Sequence, residues 1–189
     1  MGPREYALIS IVCLLASAAS IQWDVLLNLP SAVHDLMMAG ELSRQALHEK
    51  ARGDELMRDA SRAVATAGPT TALTVLPRVT RDMVQAHRHY SRALELAEAS
   101  LAHLERGLRL VGATQDPEVR RALGLMKRGL AKYRRALREF KRGIEAAQSG
   151  DFGAAMRHVN ASYRVMKGAE RELNSGRSIL ESKTLFFMG

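Results

Sequence analysis

Through three long stretches of this chain a largely apolar repeat alternates steps of three and four without a break in the spacing. A repeat of that period lines one stripe of an α-helix, so it restricts the fold to packed helices. The first run is Met83, His87, Tyr90, Leu94, Ala97, Leu101, Leu104, Leu108 and Val111. The second is Val119, Leu123, Met126, Leu130, Tyr133, Leu137, Phe140, Ile144 and Ala147. The third is Phe152, Ala155, Val159, Ser162, Met166, Ala169, Leu173, Gly176 and Leu180. Turn residues divide the chain into four segments. The first spans about Ser31 to Ala67 and stops at Gly68-Pro69, with Leu42, Ala46, Gly53, Leu56, Ala60, Ala63 and Ala67 as its best stripe. The second runs from Pro77 to Val111 and stops at Gly112. Asp116-Pro117-Glu118 opens the third, a capping residue followed by proline at the first helical position, and Ser149-Gly150 closes it. The fourth runs from Asp151 to about Ser182, and no stretch reads as a strand. Short connections make sequential helices antiparallel, so the expected fold is all-α, an up-and-down antiparallel four-helix bundle after an N-terminal signal peptide.

Residues 1–18 carry the marks of that leader. Arg4 supplies a basic start, Ala7 to Leu15 an apolar stretch, and Ala16, Ser17 and Ala18 the small residues a signal peptidase accepts. The rival reading keeps the segment as an anchor, because the apolar stretch continues through Ile21 to Trp23. The layout is then 1–18 signal peptide, 19–30 N-terminal extension, 31–182 bundle and 183–189 tail, in a secreted, extracellular protein. Cys13 is the one cysteine, which excludes an intramolecular disulfide or a cysteine-based zinc cluster.

A net charge of +8 favours anionic partners, and it is concentrated. From Pro117 to Gln148 there are ten Lys or Arg against three acids. This segment repeats in heptads, with small residues in the column Gly129, Ala136 and Gly143 and basic residues in two others: Lys127, Arg134, Lys141 and Arg128, Arg135, Arg142. A charge run on a bundle is often only a solvated face; as a ridge for an anionic partner, these six residues are the candidate contacts. No catalytic, metal or cofactor constellation is present: no two of the six histidines are four apart, and none stands three after a glutamate, which excludes the ligand pattern of di-iron bundles. His87 lies on the seam and reads as a core histidine. Met37, Met38, Met83, Met126 and Met166 read as core filling. Asn160-Ala161-Ser162 is a formal glycosylation sequon set mid-helix, where occupancy is not expected.

The second half resembles a known family. The order Asp116, Pro117, Ala122, Leu123, then Tyr133 and Ala136, Phe140, Gly150-Asp151-Phe152 with Ala155, and Val159-Asn160-Ala161-Ser162-Tyr163 is similar to the plant invertase and pectin methylesterase inhibitor domain. The resemblance implies a secreted four-helix bundle that inhibits a cell-wall carbohydrate enzyme without cofactor or covalent chemistry. The family's cysteines are missing; the later pair falls at Gly129 and close to Ala169. The Pro-Lys-Phe tripeptide tied to invertase inhibition is also absent, which tilts the implied target toward pectin methylesterase.

Two functions follow as expectations. One is a secreted, non-enzymatic inhibitor of a cell-wall enzyme, pectin methylesterase ahead of invertase, acting by non-covalent contact of an exposed bundle face. The alternative is a non-inhibitory module whose basic helix docks an acidic polysaccharide, an anionic membrane or an acidic protein; nucleic acid is not expected. A helical-repeat scaffold is a variant of the second, since Gly143 and Gly150-Asp151-Phe152 with Ala155 resemble one tetratricopeptide unit, with no second copy at a fixed period.

Overall fold

A computed structural model describes residues 23–67 and 72–186. Four helices account for nearly all of them: α1 Trp23–Thr66, α2 Ala72–Leu110, α3 Pro117–Gln148 and α4 Phe152–Phe186, with a single 3₁₀ turn at Ala113–Gln115. The chain is all-α, and no strand occurs among the described residues. The leader reading and Cys13 lie outside them.

The capping chemistry sets the boundaries of α3 and α4. Gly112 and Gly150 adopt φ of 71° and 84°, a left-handed conformation that ends α2 and α3 without a Cβ penalty. Asp116 Oδ1 accepts the Glu118 amide at 2.7 Å, and Asp151 Oδ1 accepts the Ala154 amide at 2.8 Å, so each aspartate caps the next helix. Elsewhere the helices outrun expectation. The first begins at Trp23 instead of Ser31 and passes through Pro30, the second begins at Ala72 and passes through Pro77, and the fourth continues to Phe186. Each proline removes one amide donor within the first turns of a long helix, a local loss that the rest of the helix outweighs.

The described chain divides into two compact units. The first takes the chain up to Arg44, Ala97–Leu130 and the stretch from Glu170; the second takes Gln45–Leu96 and Ala131–Ala169. Every helix contributes one stretch to each unit, and within each the sequential helices run antiparallel as an up-and-down four-helix bundle.

Close approach within the helical hairpins depends on small residues seven apart. In the first unit a Cβ on Gly107 would stand 3.2 Å from the Ala32 carbonyl, and Ser100 Oγ donates to the Ala39 carbonyl at 2.8 Å. On the other hairpin of that unit, a Cβ on Gly176 would stand 2.8 Å from the Ala122 carbonyl. In the second unit Ser162 Oγ donates to the Ala136 carbonyl at 2.8 Å, and a Cβ on Gly143 would stand 3.3 Å from the Ala155 carbonyl. Backbones this close leave no room for longer side chains, so each contact position carries Gly, Ala or Ser. Buried Ala46, Gly53 and Ala60 continue the α1 column in the second unit. The buried stripe of α1 is therefore this heptad column, and Leu42, Leu56, Ala63 and Ala67 lie at its half-exposed margin.

The seams of α2 and α3 are core or half-buried throughout. Two apolar expectations fail: Phe152 and Met37 are exposed, at 38% and 45%. Met37 sits between the buried positions Leu36 and Ala39, turned to the solvent side of α1.

Candidate functional site

All ten Lys and Arg side chains of α3 are exposed. The helix leaves them no alternative, because Val119, Leu123, Leu130, Tyr133, Leu137, Phe140 and Ile144 take its buried face. The six candidate residues divide between the units. Lys127 and Arg128 belong to the first, where Lys127 Nζ lies 2.6 Å from Glu105 Oε1 and is partly neutralised. Arg134, Arg135, Lys141 and Arg142 belong to the second. At 100° per residue these four and Arg138, which sequence reasoning did not single out, share an arc of about 120°. Arg142 lies 2.7 Å from Glu139 Oε1 and Lys141 3.9 Å from Glu145 Oε1, whereas Arg135 and Arg138 make no ion pair among the described residues.

The second unit also reveals a duplication. Arg44-Gln45-Ala46-Leu47-His48-Glu49-Lys50-Ala51-Arg52-Gly53-Asp54-Glu55 on α1 matches Arg134-Arg135-Ala136-Leu137-Arg138-Glu139-Phe140-Lys141-Arg142-Gly143-Ile144-Glu145 on α3 at seven of twelve positions. Ala86-His87-Arg88-His89 on α2 matches Ala155-Met156-Arg157-His158 on α4 at three of four. The small-residue columns fall into the same alignment, with Gly107 of α2 matching Gly176 of α4. The α1–α2 hairpin is therefore a diverged counterpart of α3–α4, offset by 90 residues between α1 and α3 and by 69 between α2 and α4, so that no fixed period arises, as the sequence reading had it.

The geometry bears the match out. His89 Nδ1 lies 2.6 Å from Glu49 Oε2, and His158 Nδ1 lies 3.0 Å from Glu139 Oε2. Arg52 approaches Glu49 to 3.9 Å, as Arg142 approaches Glu139 to 2.7 Å. The hydrogen bond from each histidine holds its glutamate below the ordinary carboxyl value of 4.5, with the neighbouring arginine adding to the effect. Each cluster ties the two helices of its own hairpin.

The duplicate copies diverge at exposed positions. Gln45, His48 and Ala51 on α1 are exposed, as are their counterparts Arg135, Arg138 and Lys141 on α3. In the first unit the pair Met37 and Met38 corresponds to Lys127 and Arg128. The same scaffold position thus folds with or without the charge.

The other candidates resolve simply. His87 stacks on Phe140 at a ring separation of 6.1 Å as a half-buried side chain, and that burial lowers its pKa from 6.5. Ser162 of the sequon is buried and bonded to Ala136, while Asn160 is exposed. Among the described residues no group of three His, Cys, Asp or Glu side chains could hold a metal ion. In the first unit buried Asp35 accepts from His103 Nδ1 at 2.7 Å and lies 3.4 Å from Arg106, an interhelical tie of the same kind as the glutamate clusters. No protein-family model matches the sequence, and neither a curated protein nor a solved structure matches it.

Proposed function

We propose that this protein is a non-catalytic docking module whose exposed basic helix α3 engages an acidic partner. The observation that carries this reading is the internal comparison in the second unit. The two copies share their buried small-residue contacts and their Glu-Arg-His ties, yet exposed Gln45, His48 and Ala51 are replaced by Arg135, Arg138 and Lys141. Charge that a fold does not need, gathered on one helix, supports selection for an anionic contact over a merely solvated face.

The test exchanges one copy for the other. R135Q/R138H/K141A places on α3 the residues that α1 already accommodates. On immobilised polygalacturonate the native chain is expected to bind in a salt-dependent manner, and the variant to lose about tenfold in affinity at low salt. Equal retention of both proteins would retire the reading.

Inhibition of a cell-wall enzyme, pectin methylesterase before invertase, is the second reading and a special case of the first, with an acidic enzyme as partner. Its support is the resemblance of the α3–α4 sequence. Part of that resemblance, Asp116-Pro117 and Gly150-Asp151, performs helix capping that any helical hairpin can use, which places it second. Saturable loss of pectin methylesterase or invertase activity at equimolar protein would raise it to first.

A further inference from the structure

Three large apolar side chains on α4 are exposed in the second unit: Phe152 at 38%, Met156 at 57% and Tyr163 at 64%. Their counterparts in the first copy are Met83, His87 and Leu94. Met83 and Leu94 are 6% and 8% exposed, and His87 is half-buried against Phe140. The second copy thus carries large apolar groups, two of them aromatic, at positions left partly or largely open to solvent. At 100° per residue the three lie within an arc of about 40° along α4. Lys167 and Arg164 follow on one side of that arc and Arg157 lies just beyond; Lys167 Nζ stands 5.9 Å from the centre of the Tyr163 ring. From Phe152 to Ala169 there is no acidic residue.

We propose that this face of α4 rests on an anionic lipid surface, with Phe152, Met156 and Tyr163 entering the headgroup layer and Arg157, Arg164 and Lys167 meeting lipid phosphates. The inference rests on the docking reading and names its partner. A narrow apolar stripe with aromatic members and a basic margin is the pattern of an interfacial helix, in which apolar burial and attraction to anionic lipid act together. A soluble polyanion would use the arginines and leave Phe152 and Met156 in water. No described helix is long and apolar enough to cross a membrane, so the contact is with the surface.

The full chain and its F152S/M156S/Y163S variant are to be sedimented with phosphatidylcholine vesicles, with and without phosphatidylglycerol, and applied in parallel to immobilised polygalacturonate. Residues 1–22 are common to both, so the difference reports on α4. The native chain should bind the phosphatidylglycerol vesicles. The variant should lose about tenfold or more in vesicle affinity while keeping its melting temperature and its retention on polygalacturonate. A W23F/Y163W chain, whose one tryptophan stands on α4, should show a blue-shifted emission quenched by brominated lipid. Polygalacturonate retention without vesicle binding would overturn the lipid partner and leave the docking reading standing. Vesicle binding that is equal in variant and native chain, or equal with and without phosphatidylglycerol, would also overturn it. Retention on neither support would overturn both. Should the variant unfold, absence of quenching in W23F/Y163W would by itself be decisive against the proposal.

Discussion

Within the second unit, the part of the first hairpin from Gln45 to Leu96 and the part of the second from Ala131 to Ala169 are built on one plan and have diverged on their surfaces. Both hold a glutamate between a histidine of the partner helix and an arginine three residues on. Both pack through Gly or Ala at heptad spacing. The first copy carries eight basic and six acidic residues over its stretch, whereas the second carries nine and three. The first buries Met83 and Leu94 where the second exposes Phe152 and Tyr163. What the copies share is what the hairpin needs to close; the exposed positions at which they differ are free of that requirement. One chain thereby contains its own control.

The strongest way to break the comparison is at the equivalent glycines of the first unit. A methyl at Gly176 would meet Met126 Cγ at 2.7 Å and the Ala122 carbonyl at 2.8 Å, and the carbonyl cannot move without its helix. Gly176→Ala should cost about 2–3 kcal/mol in denaturant unfolding. At Gly107 the nearest atoms are Leu36 Cγ and Cδ2 at 2.9 and 3.0 Å, with the Ala32 carbonyl farther off at 3.2 Å. Leu36 can rotate, and alanine is the better helix former by about 1 kcal/mol, so Gly107→Ala should change stability by about 1 kcal/mol or less. Equal losses would mean that the two columns are equally tight.

Glu49→Gln and Glu139→Gln should each lower stability by about 0.5–1 kcal/mol at neutral pH, with equal effect if the clusters are true equivalents. Both glutamates titrate below 4.5 in the folded chain, so each contributes stability that is present above that value and is lost as pH falls through the lowered folded pKa. Unfolding curves of the double variant should therefore show a shallower acid limb below about pH 4.5.

His87 has no titrating counterpart in the second copy, where Met156 stands. Burial lowers its pKa from 6.5, so the unfolded chain takes up a proton before the folded one. Stability is full above 6.5 and falls as pH drops below it. His87→Met, which imports the residue of the second copy, should flatten unfolding midpoints just below pH 6.5 and leave the glutamate limb in place. An unchanged slope would remove His87 as its cause.

The smallest structural effect is expected from Q45R/H48R/A51K, which gives α1 the α3 face. Melting should stay within about 0.5 kcal/mol of the native chain, while retention on polygalacturonate rises. A large loss of stability would show that the two exposed faces are not interchangeable after all.

The seams of α2 and α3 could be read from the sequence because long apolar residues at steps of three and four announce a buried stripe. The stripe of α1 was legible only in part: Ala46, Gly53 and Ala60 stand on the expected stripe, whereas Ala32 and Ala39 of the same buried column are too small to register as hydrophobic. The duplication was hidden for a different reason. Matched residues are 90 apart between α1 and α3 but 69 apart between α2 and α4, because the connected ends of the first hairpin are longer by three heptads, so no single period exists. The repeated Arg-x-Ala-Leu-x-Glu-x-x-Arg-Gly was the signal available. The basic face of α3 was legible, Arg138 apart, whereas the α4 stripe was not, since Phe152 shares the seam period and only burial shows that nothing packs on it.

The unequal hairpin lengths also bear on how the chain folds. Gly143 meets Ala155 across a turn of only a few residues, whereas the first hairpin is tied between Asp54 and Tyr90. Closing a short loop loses less chain entropy and proceeds faster than closing a long one. The α3–α4 hairpin is therefore expected to zip from its turn first and offer Phe140 as a ready surface for His87 and Tyr90. On that order of events, the α3–α4 hairpin is also the template on which its twin is assembled.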